Sequence, residues 1–566
     1  MSVESVITSN LDIWTSAIKT KSASGRGSSN KLELYGIKKL RELILELAVR
    51  GKLVPQDPDD SSVEQLVSRV EQDRAEFFKK TGIRPPKVNN TKDTYTEPYT
   101  IPDNWLWISN SKVFSLVKGK RPKDLSESMQ KFEYLDIEAL DRGNINRFTN
   151  DDKVPRATSE DILVVCDGSR SGLVLDGRNG VIGSTLARVD VPTYLREFIK
   201  LFFKQSFNRL NTSMKGAAIP HLDTKELRAG FFALPPLEEQ GRILNKVDEL
   251  MSLCDQLESQ TEASIQAHKT LVETLLATLT NAKDADEIND SWQRISEHFD
   301  VLFTTEDSID QLKQTILQLA VMGKLVKQDP NDEPASKLLQ RIAAEKEQLI
   351  KEKKIKKQKP LPQISDDEKP FELPVGWEWC RIGAVTLSRL GKMLDKAKNK
   401  GRELPYLRNT NVQWGSFQLD DIKLMKFEED ELDEFRLQVG DLLICEGGEP
   451  GRCAIWLDSS TDMYFQKALH RVRPLGKVLS EYLEICLTVD SANGGLEKYF
   501  TGATIKHLVG AKLNIYVLPL PPIGEQGRIV RKAKELFESC DALKAKVQTA
   551  QSMQNQLADT ISDSAA

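Results

Sequence analysis

Cysteine is scarce and scattered: Cys166, Cys254, Cys380, Cys445, Cys453, Cys486 and Cys540 are the seven in the chain, and no two form a Cys-x-x-Cys pair. An odd number without paired spacing argues against a disulfide framework and structural zinc, and it points to a reducing compartment. The five histidines, His221, His268, His298, His470 and His507, have no metal-ligand spacing and make no Cys/His constellation that suggests a nucleophile. No run of eighteen apolar residues occurs, and the amino terminus has no basic start leading into an apolar stretch, so a cytoplasmic protein without membrane contact is expected. A phosphate loop is missing, since Gly323-Lys324-Leu325 lacks both the upstream glycine and the hydroxyl residue. Also missing are a glycine-rich nucleoside turn and an Asn-Pro-Pro-Tyr or Asp-Pro-Pro-Tyr motif, so no catalytic, cofactor or metal residue is assigned. A net charge of −5 and a pI near 5.9 give no overall basic footprint, so any contact with nucleic acid must use local patches.

What the chain has in abundance is repetition. The decapeptide LPPLEEQGRI begins at Leu234, and LPPIGEQGRI begins at Leu520, 286 residues later. Two prolines suit the turn before a helix, and apolar residues follow in alternating four-three spacing at Ile243, Val247, Leu250, Cys254 and Leu257. The later copy repeats the seam as Ile529, Ala533, Leu536, Cys540 and Leu543, a coiled-coil-like pattern written twice. The acidic pair Glu238 and Glu239 reads as helix N-terminal charge favoured by the dipole. A second motif, LAVRGKLVPQDP from Leu47, closes the seam Ile37, Leu40, Ile44 and Leu47. It returns as LAVMGKLVKQDP from Leu319 after Ile309, Leu312, Ile316 and Leu319, 272 residues on. Gly51 and Gly323 stand where a helix C-cap needs glycine. Polar helical stretches follow each copy, at 62–80 and 335–357.

At 566 residues the chain should hold about three or four folding units. The motifs around Trp105 and Trp107, and around Trp377 and Trp379, open two segments of short apolar runs punctuated by Gly, Asn and Asp. Strands are expected at 133–137, 161–165, 405–407 and 441–444, and helices at 194–203 and 480–487. The boundaries read as an N-terminal arm and helical part at 1–100, a globular domain at 101–235, a helical region at 236–372, a second globular domain at 373–521 and a closing helix at 522–566. The fold class expected is α+β: two mixed α/β domains alternating with two long antiparallel helical regions. The helix from Gln240 should face the Ile309 segment and the helix from Gln526 should face Ile37 to Leu47, closing a pseudo-twofold ring.

This order of parts, with the motifs beginning at Leu47, Leu234, Leu319 and Leu520, resembles the DNA specificity subunit of Type I restriction-modification enzymes over nearly the whole chain. The resemblance implies two target-recognition domains, each reading half of a split asymmetric site on double-stranded DNA. It further implies that the helices set their separation and bind two modification subunits, with restriction/translocase subunits completing the complex. S-adenosylmethionine, ATP and magnesium then belong to those partners, and this chain is non-enzymatic. The stretch 14–27 is similar to the N-terminal extension of one branch of the family, where it implies partner contact.

Candidate DNA contacts fall in three loop sets per domain, because Lys and Arg suit phosphates while Arg, Lys, Asn and Ser suit base edges. In the first domain they are Lys118, Lys120 and Arg121, then Ser169 and Arg170, then Lys215. In the second they are Lys392, Lys396, Lys398, Lys400 and Arg402, then Arg452, then Lys506, with Arg408, Asn409 and Asn411 as further base readers. The tryptophans read as core. Two rival readings are a catalytic fusion that methylates or cuts DNA itself, against which the missing motifs stand, and a coiled-coil scaffold with no DNA role.

Overall fold

The computed structural model describes residues 3–21, 31–82, 85, 97–212, 221–283, 285–395 and 397–565. Mixed sheets and long helices make the chain α+β, and it divides into two compact units, residues 1–264 with 550–566 and residues 265–549. Two long helices, Leu237–Asn281 and Ile523–Ala565, each begin in one unit and end in the other.

In the first unit the helix Tyr35–Val49 buries Ile37, Leu40, Leu43, Ile44 and Leu47 against Ile243, Val247, Leu250 and Cys254 of the first long helix. The tail of the second long helix adds Ala558 and Ile561 to the same core. In the second unit the helix Glu306–Val321 buries Ile309, Leu312, Ile316 and Leu319 against Ala533, Leu536, Cys540 and Leu543, with Val272, Leu276 and Leu279 from the tail of the first long helix. The seams lie where the sequence puts them; each short helix meets the head of the long helix that follows it in the chain, and the tail of the other long helix, the partner expected from the sequence, packs into the same core. Ion pairs accompany the head contacts. Arg41 pairs with Asp255 and Glu258 at 2.7 Å each, and at matching positions Lys313 pairs with Asp541. At one further position the signs differ between the copies: Asp310 pairs with Lys544 at 2.8 Å, while the corresponding Lys38 pairs with Glu33 and the corresponding Glu258 with Arg41. Swapped partners would set Asp310 against Glu258 and Lys38 against Lys544, and like charges so placed disfavour the pairing.

Each short helix ends on the same cap. Gly51 and Gly323 have φ of +67° and +69°, and the amides of Lys52 and Lys324 reach back to the carbonyls of Leu47 and Leu319. The arm supplies the helices Val3–Thr8 and Leu11–Ser16 and a hairpin of Lys19–Lys21 with Lys31–Glu33. Trp14 is fully buried, and the tail of the second long helix holds the arm through Gln551, whose amide donates to the carbonyls of Ser16 and Ile18. The described arm thus lies on its own unit; residues 22–30, read from sequence as part of the arm, lie outside the described residues. The polar stretches form the helices Val63–Thr81 and Ala335–Lys351, the second ending before most of the basic run.

Each unit builds a four-stranded antiparallel sheet in the same order. The first runs Ser115–Lys118, Leu186–Asp190, Ile162–Val165, Val174–Asp176, and the second runs Thr386–Leu390, Leu469–Pro474, Leu442–Cys445, Cys453–Ile455. Central strands such as Ile162–Val165 and Leu442–Cys445 are buried throughout, which their unbroken apolar sequence requires. A smaller mixed sheet adjoins each, with Phe132–Leu135 parallel to Gly180–Ile182 in the first unit and Arg402–Leu407 parallel to Tyr464–Phe465 in the second. The helices Arg196–Thr212 and Ser480–Ala492 follow.

Candidate nucleic-acid interface

The repeated motifs converge to fix each sheet on its helices. Glu239, fully buried, accepts from the Trp105 indole at 3.0 Å and the Gln56 amide at 2.8 Å. Glu525 accepts likewise from Trp377 at 2.9 Å and Gln328 at 3.1 Å. Burial pushes both carboxyls above the usual range, against the pull of these bonds. Beside them Arg242 is bidentate to Asp60 and Arg528 pairs with Asp332. The tryptophans Trp105 and Trp377 are core, as the sequence suggests, and Glu239 is a buried acceptor more than a dipole charge.

With each sheet so fixed, its loops meet at one end. In the first unit the strand Ser115–Lys118 runs into Gly119, whose amide bonds to the Leu186 carbonyl; a Cβ there would lie 2.2 Å from the Gly183 oxygen. The loop 166–173 meets the returning segment through Leu222, whose amide donates to the Cys166 carbonyl at 2.8 Å. Asp167 gathers the side chains: Lys118 lies 3.0 Å and His221 Nδ1 2.7 Å from its carboxylate. Burial raises that carboxyl, but the His221 and Lys118 bonds outweigh it and hold the group below the usual range. The tip carrying Ser169 and Arg170 is held from both sides. Asn211 donates to the Ser169 and Ser171 carbonyls, and Arg170 is bidentate to Asp141 at 2.7 and 3.2 Å. Lys120 and Arg121 are exposed and form no ion pair with a described residue, and the same holds for neighbouring Lys123. Lys215 lies outside the described residues.

The second unit repeats the junction with different chemistry. Leu508 donates to the Glu446 carbonyl at 2.7 Å, and the His507 ring covers Gly447, where a Cβ would lie 2.9 Å from Nδ1. Arg452, largely buried, reaches Glu449 at 3.0 Å and the Asn409 carbonyl at 2.9 Å. Asn409 itself donates to the Gly447 carbonyl, and Lys506, half exposed, lies 3.3 Å from Glu497. Three residues singled out from the sequence are placed inside the protein's own bonding. Lys392 is 7% exposed, with its ammonium on Glu431. Asn411 is buried, donating to the Gln418 and Asp421 carbonyls while accepting from the Arg408 amide. Arg408 is held by Asp421 at 2.8 Å. Lys398, Lys400 and Arg402 are displayed to solvent, with only distant partners in Asp395 and Glu429 for Lys398 and Arg402. Lys396 lies outside the described residues. A cavity of about 540 Å³ opens beside them, lined by the cations Arg389, Lys392, Lys398 and Lys467 against Glu428 and Glu431.

Sequence reasoning missed His221 and His507 as junction residues, although each precedes a buried leucine in matching segments, IPHL and IKHL. It missed Arg389 and Lys467 because neither stands in a basic run. All seven cysteines are buried, and burial raises the thiol of Cys166 to about 11. Among the described residues no group of three His, Cys, Asp or Glu side chains is placed to hold a metal ion, and no helix is long and apolar enough to cross a membrane.

Comparison with known proteins gives a consistent answer. The model of the Type I restriction modification DNA specificity domain matches residues 102–267 and 374–550. The EcoAI specificity subunit of Escherichia coli, a Type I restriction enzyme component, is 39% identical over the full length of both chains, and the EcoEI specificity subunit of the same organism is 36% identical over the full length of both. Among solved structures, the HsdS subunit from Thermoanaerobacter tengcongensis is 20% identical, with a TM-score of 0.36 over 83% of this chain and 98% of that one.

Proposed function

The chain belongs to the Type I restriction-modification specificity subunits, and on that premise we propose how its two units divide the work of reading DNA. It is a specificity subunit whose relatives carry that name and not that of a catalyst. Residues 101–235 and 373–521 act as two target-recognition domains, each reading one half of a split, asymmetric site on double-stranded DNA. The long helices set the interval between the halves and carry two modification subunits, with restriction/translocase subunits joining the same complex. S-adenosylmethionine, ATP and magnesium bind in those partners. The setting for this work is the cytoplasm.

The observation that carries the reading is the loop junction built twice, at the same end of the same four-stranded sheet, with a different set of polar side chains in each. A repeated frame with divergent loops suits two readers of two different sequences. Phosphate contact falls to the displayed cations, Lys120, Arg121 and Lys123 in one unit and Lys398, Lys400 and Arg402 in the other. Base reading falls to the junction residues, Ser169 and Arg170 in one and Asn409, Arg452 and Lys506 in the other. Exchanging residues 101–235 for the equivalent segment of the EcoAI specificity subunit, in the assembled complex, tests the division. One half of the methylated sequence should change while the other half and the spacer stay. A change in both halves would overturn it.

A further inference from the structure

The two units differ at one half-buried corner in a way that points to a ligand. In the first unit Glu46 holds Arg50 at 2.6 Å, and the Arg50 guanidinium lies 4.9 Å over the Tyr99 ring, which meets Trp107 at 5.0 Å between centroids. The second unit keeps the aromatic pair, with Phe371 and Trp379 also 5.0 Å apart. The residues 272 positions after Glu46 and Arg50 are Gln318 and Met322, so both the guanidinium and its carboxylate are gone. A cavity of about 350 Å³ occurs there, lined by Gln318, Met322, Phe371 and Trp379. Its far wall brings Asp490. The matched ring pairs Trp105 with Phe198 and Trp377 with Tyr482 align Asp490 with Ser206, so the second unit has lost the cation while keeping an acid at the corner, now Asp490 in place of Glu46.

We propose that this cavity is a guanidinium site, filled in the second unit by an arginine from outside as Arg50 fills the first from within. An aromatic face and a carboxylate are the two features a guanidinium uses, by cation–π attraction and charge-assisted hydrogen bonding. The Tyr516 hydroxyl engages one Asp490 oxygen at 2.8 Å, leaving the other for a ligand. Burial holds the Asp490 carboxyl above the usual range, which an incoming cation would reverse. Of the other charges on the wall, the Lys498 ammonium draws the Asp490 carboxyl down but makes no ion pair with it. Glu368 is committed to Arg381, and the Lys498 ammonium lies 5.3 Å over the Tyr499 ring.

Titrating the full-length chain with arginine amide, and with citrulline amide as its neutral isostere, tests this by calorimetry and tryptophan fluorescence. Arginine amide should bind saturably and at least about tenfold more tightly than citrulline amide, the worth of one charge-assisted contact. Asp490→Asn should remove that preference, Phe371→Leu should weaken binding severalfold, and Met322→Arg should abolish it by filling the cavity as Arg50 does. Melting temperatures monitor the fold, and the Asp490 and Phe371 variants keep the test open if Met322→Arg unfolds. Equal titration by the two amides, or binding untouched in a folded Met322→Arg chain, would overturn the proposal. The source is then read from assembly with the modification subunit. Weaker assembly of Met322→Arg, and competition by arginine amide, would make the arginine a partner's side chain. Unchanged assembly with the amide binding lost would make the ligand a free small cation.

Discussion

Position 381 in the second half is an arginine, and 272 residues earlier its counterpart is Ser109. The Arg381 guanidinium, 4% exposed, donates to the carbonyls of Pro362, Gln363 and Ile515 and twice to Glu368, at 2.6 to 3.1 Å. It braces the strand Glu378–Arg381 to the segment that leads into it. Ser109 spends its hydroxyl on Ser111, two residues away. By contrast the glutamate, tryptophan and glutamine knot at Glu239 recurs at Glu525 with nearly the same distances. The difference separates two kinds of interaction. Those that fix a sheet to its helix are kept in both copies, and they hold each loop junction on a fixed base. Braces within a domain are free to differ.

The comparison is sharpened most by charge removal at the two sets of displayed cations. Replacing Lys120, Arg121 and Lys123 with alanine, or Lys398, Lys400 and Arg402, should in each case flatten the slope of log K against log salt by about 0.9 for each phosphate left unneutralised. The recognised sequence should stay the same in both. Lys392→Ala should leave the slope alone, because its ammonium is already taken by Glu431. If one triple variant matches the parent in affinity and slope, that set is only solvated loop and the two halves hold the backbone by different means.

Next in size is the brace. Arg381→Ala strands three carbonyls and leaves the part-exposed Glu368 without its partner, at a cost of about 3 kcal/mol. Calorimetry should find an unfolding transition lowered, while Ser109→Ala changes little. Acid provides a second readout. The bond from Arg381 holds the Glu368 carboxyl at about 2, below its ordinary 4.5. A depressed folded value means the contribution is present above pH 4.5 and is lost as pH falls toward 2. The parent should therefore lose stability in that window, and Arg381→Ala should lose less. Equal acid sensitivity in both proteins would assign the brace to the carbonyl bonds alone.

The repeated knot should respond equally in the two halves. Glu239→Ala and Glu525→Ala each orphan an indole N–H and a glutamine amide, at about 2 kcal/mol per site. Their pH dependence runs opposite to that of Glu368. Burial raises both folded values, so a parent carrying them loses stability as pH rises past 4.5, and the Gln variants should not. A large effect at Glu239 with none at Glu525 would show that one sheet is anchored by something else.

Much of this architecture was legible in the sequence because it rests on apolar spacing and on glycine and proline, which report local geometry directly. The seams at Ile37, Ile243, Ile309 and Ile529, the caps at Gly51 and Gly323, and the buried Trp105 and Trp377 all follow from that. Side-chain availability was less legible. Lys392 and Asn411 look like DNA contacts by residue type alone, yet one meets Glu431 and the other caps its own turn, and those partners lie 39 and 7 to 10 residues away. Which stretch of each long helix meets which short helix was the least legible, because the apolar seams are interchangeable by hydrophobicity and both long helices contribute to each core.

That last point gives the smallest effect and the finest test. If the exchanged signs at Lys38 and Glu258 against Asp310 and Lys544 select partners, Asp310→Lys should cost about 0.5 kcal/mol in the second unit by facing Lys544 with a like charge. Adding Lys544→Glu should restore the loss, since opposite charges then face each other again. The interaction is exposed, so its stability term is small and fades with salt. Its consequence for pairing is larger than its energy, because the double variant carries the same signs in both copies and no longer penalises exchange of partners. A double-mutant cycle at low and high salt measures the coupling. A cycle that closes to zero at low salt would mean these charges do not choose the partner, leaving the order of the helices along the chain as what decides which pair forms.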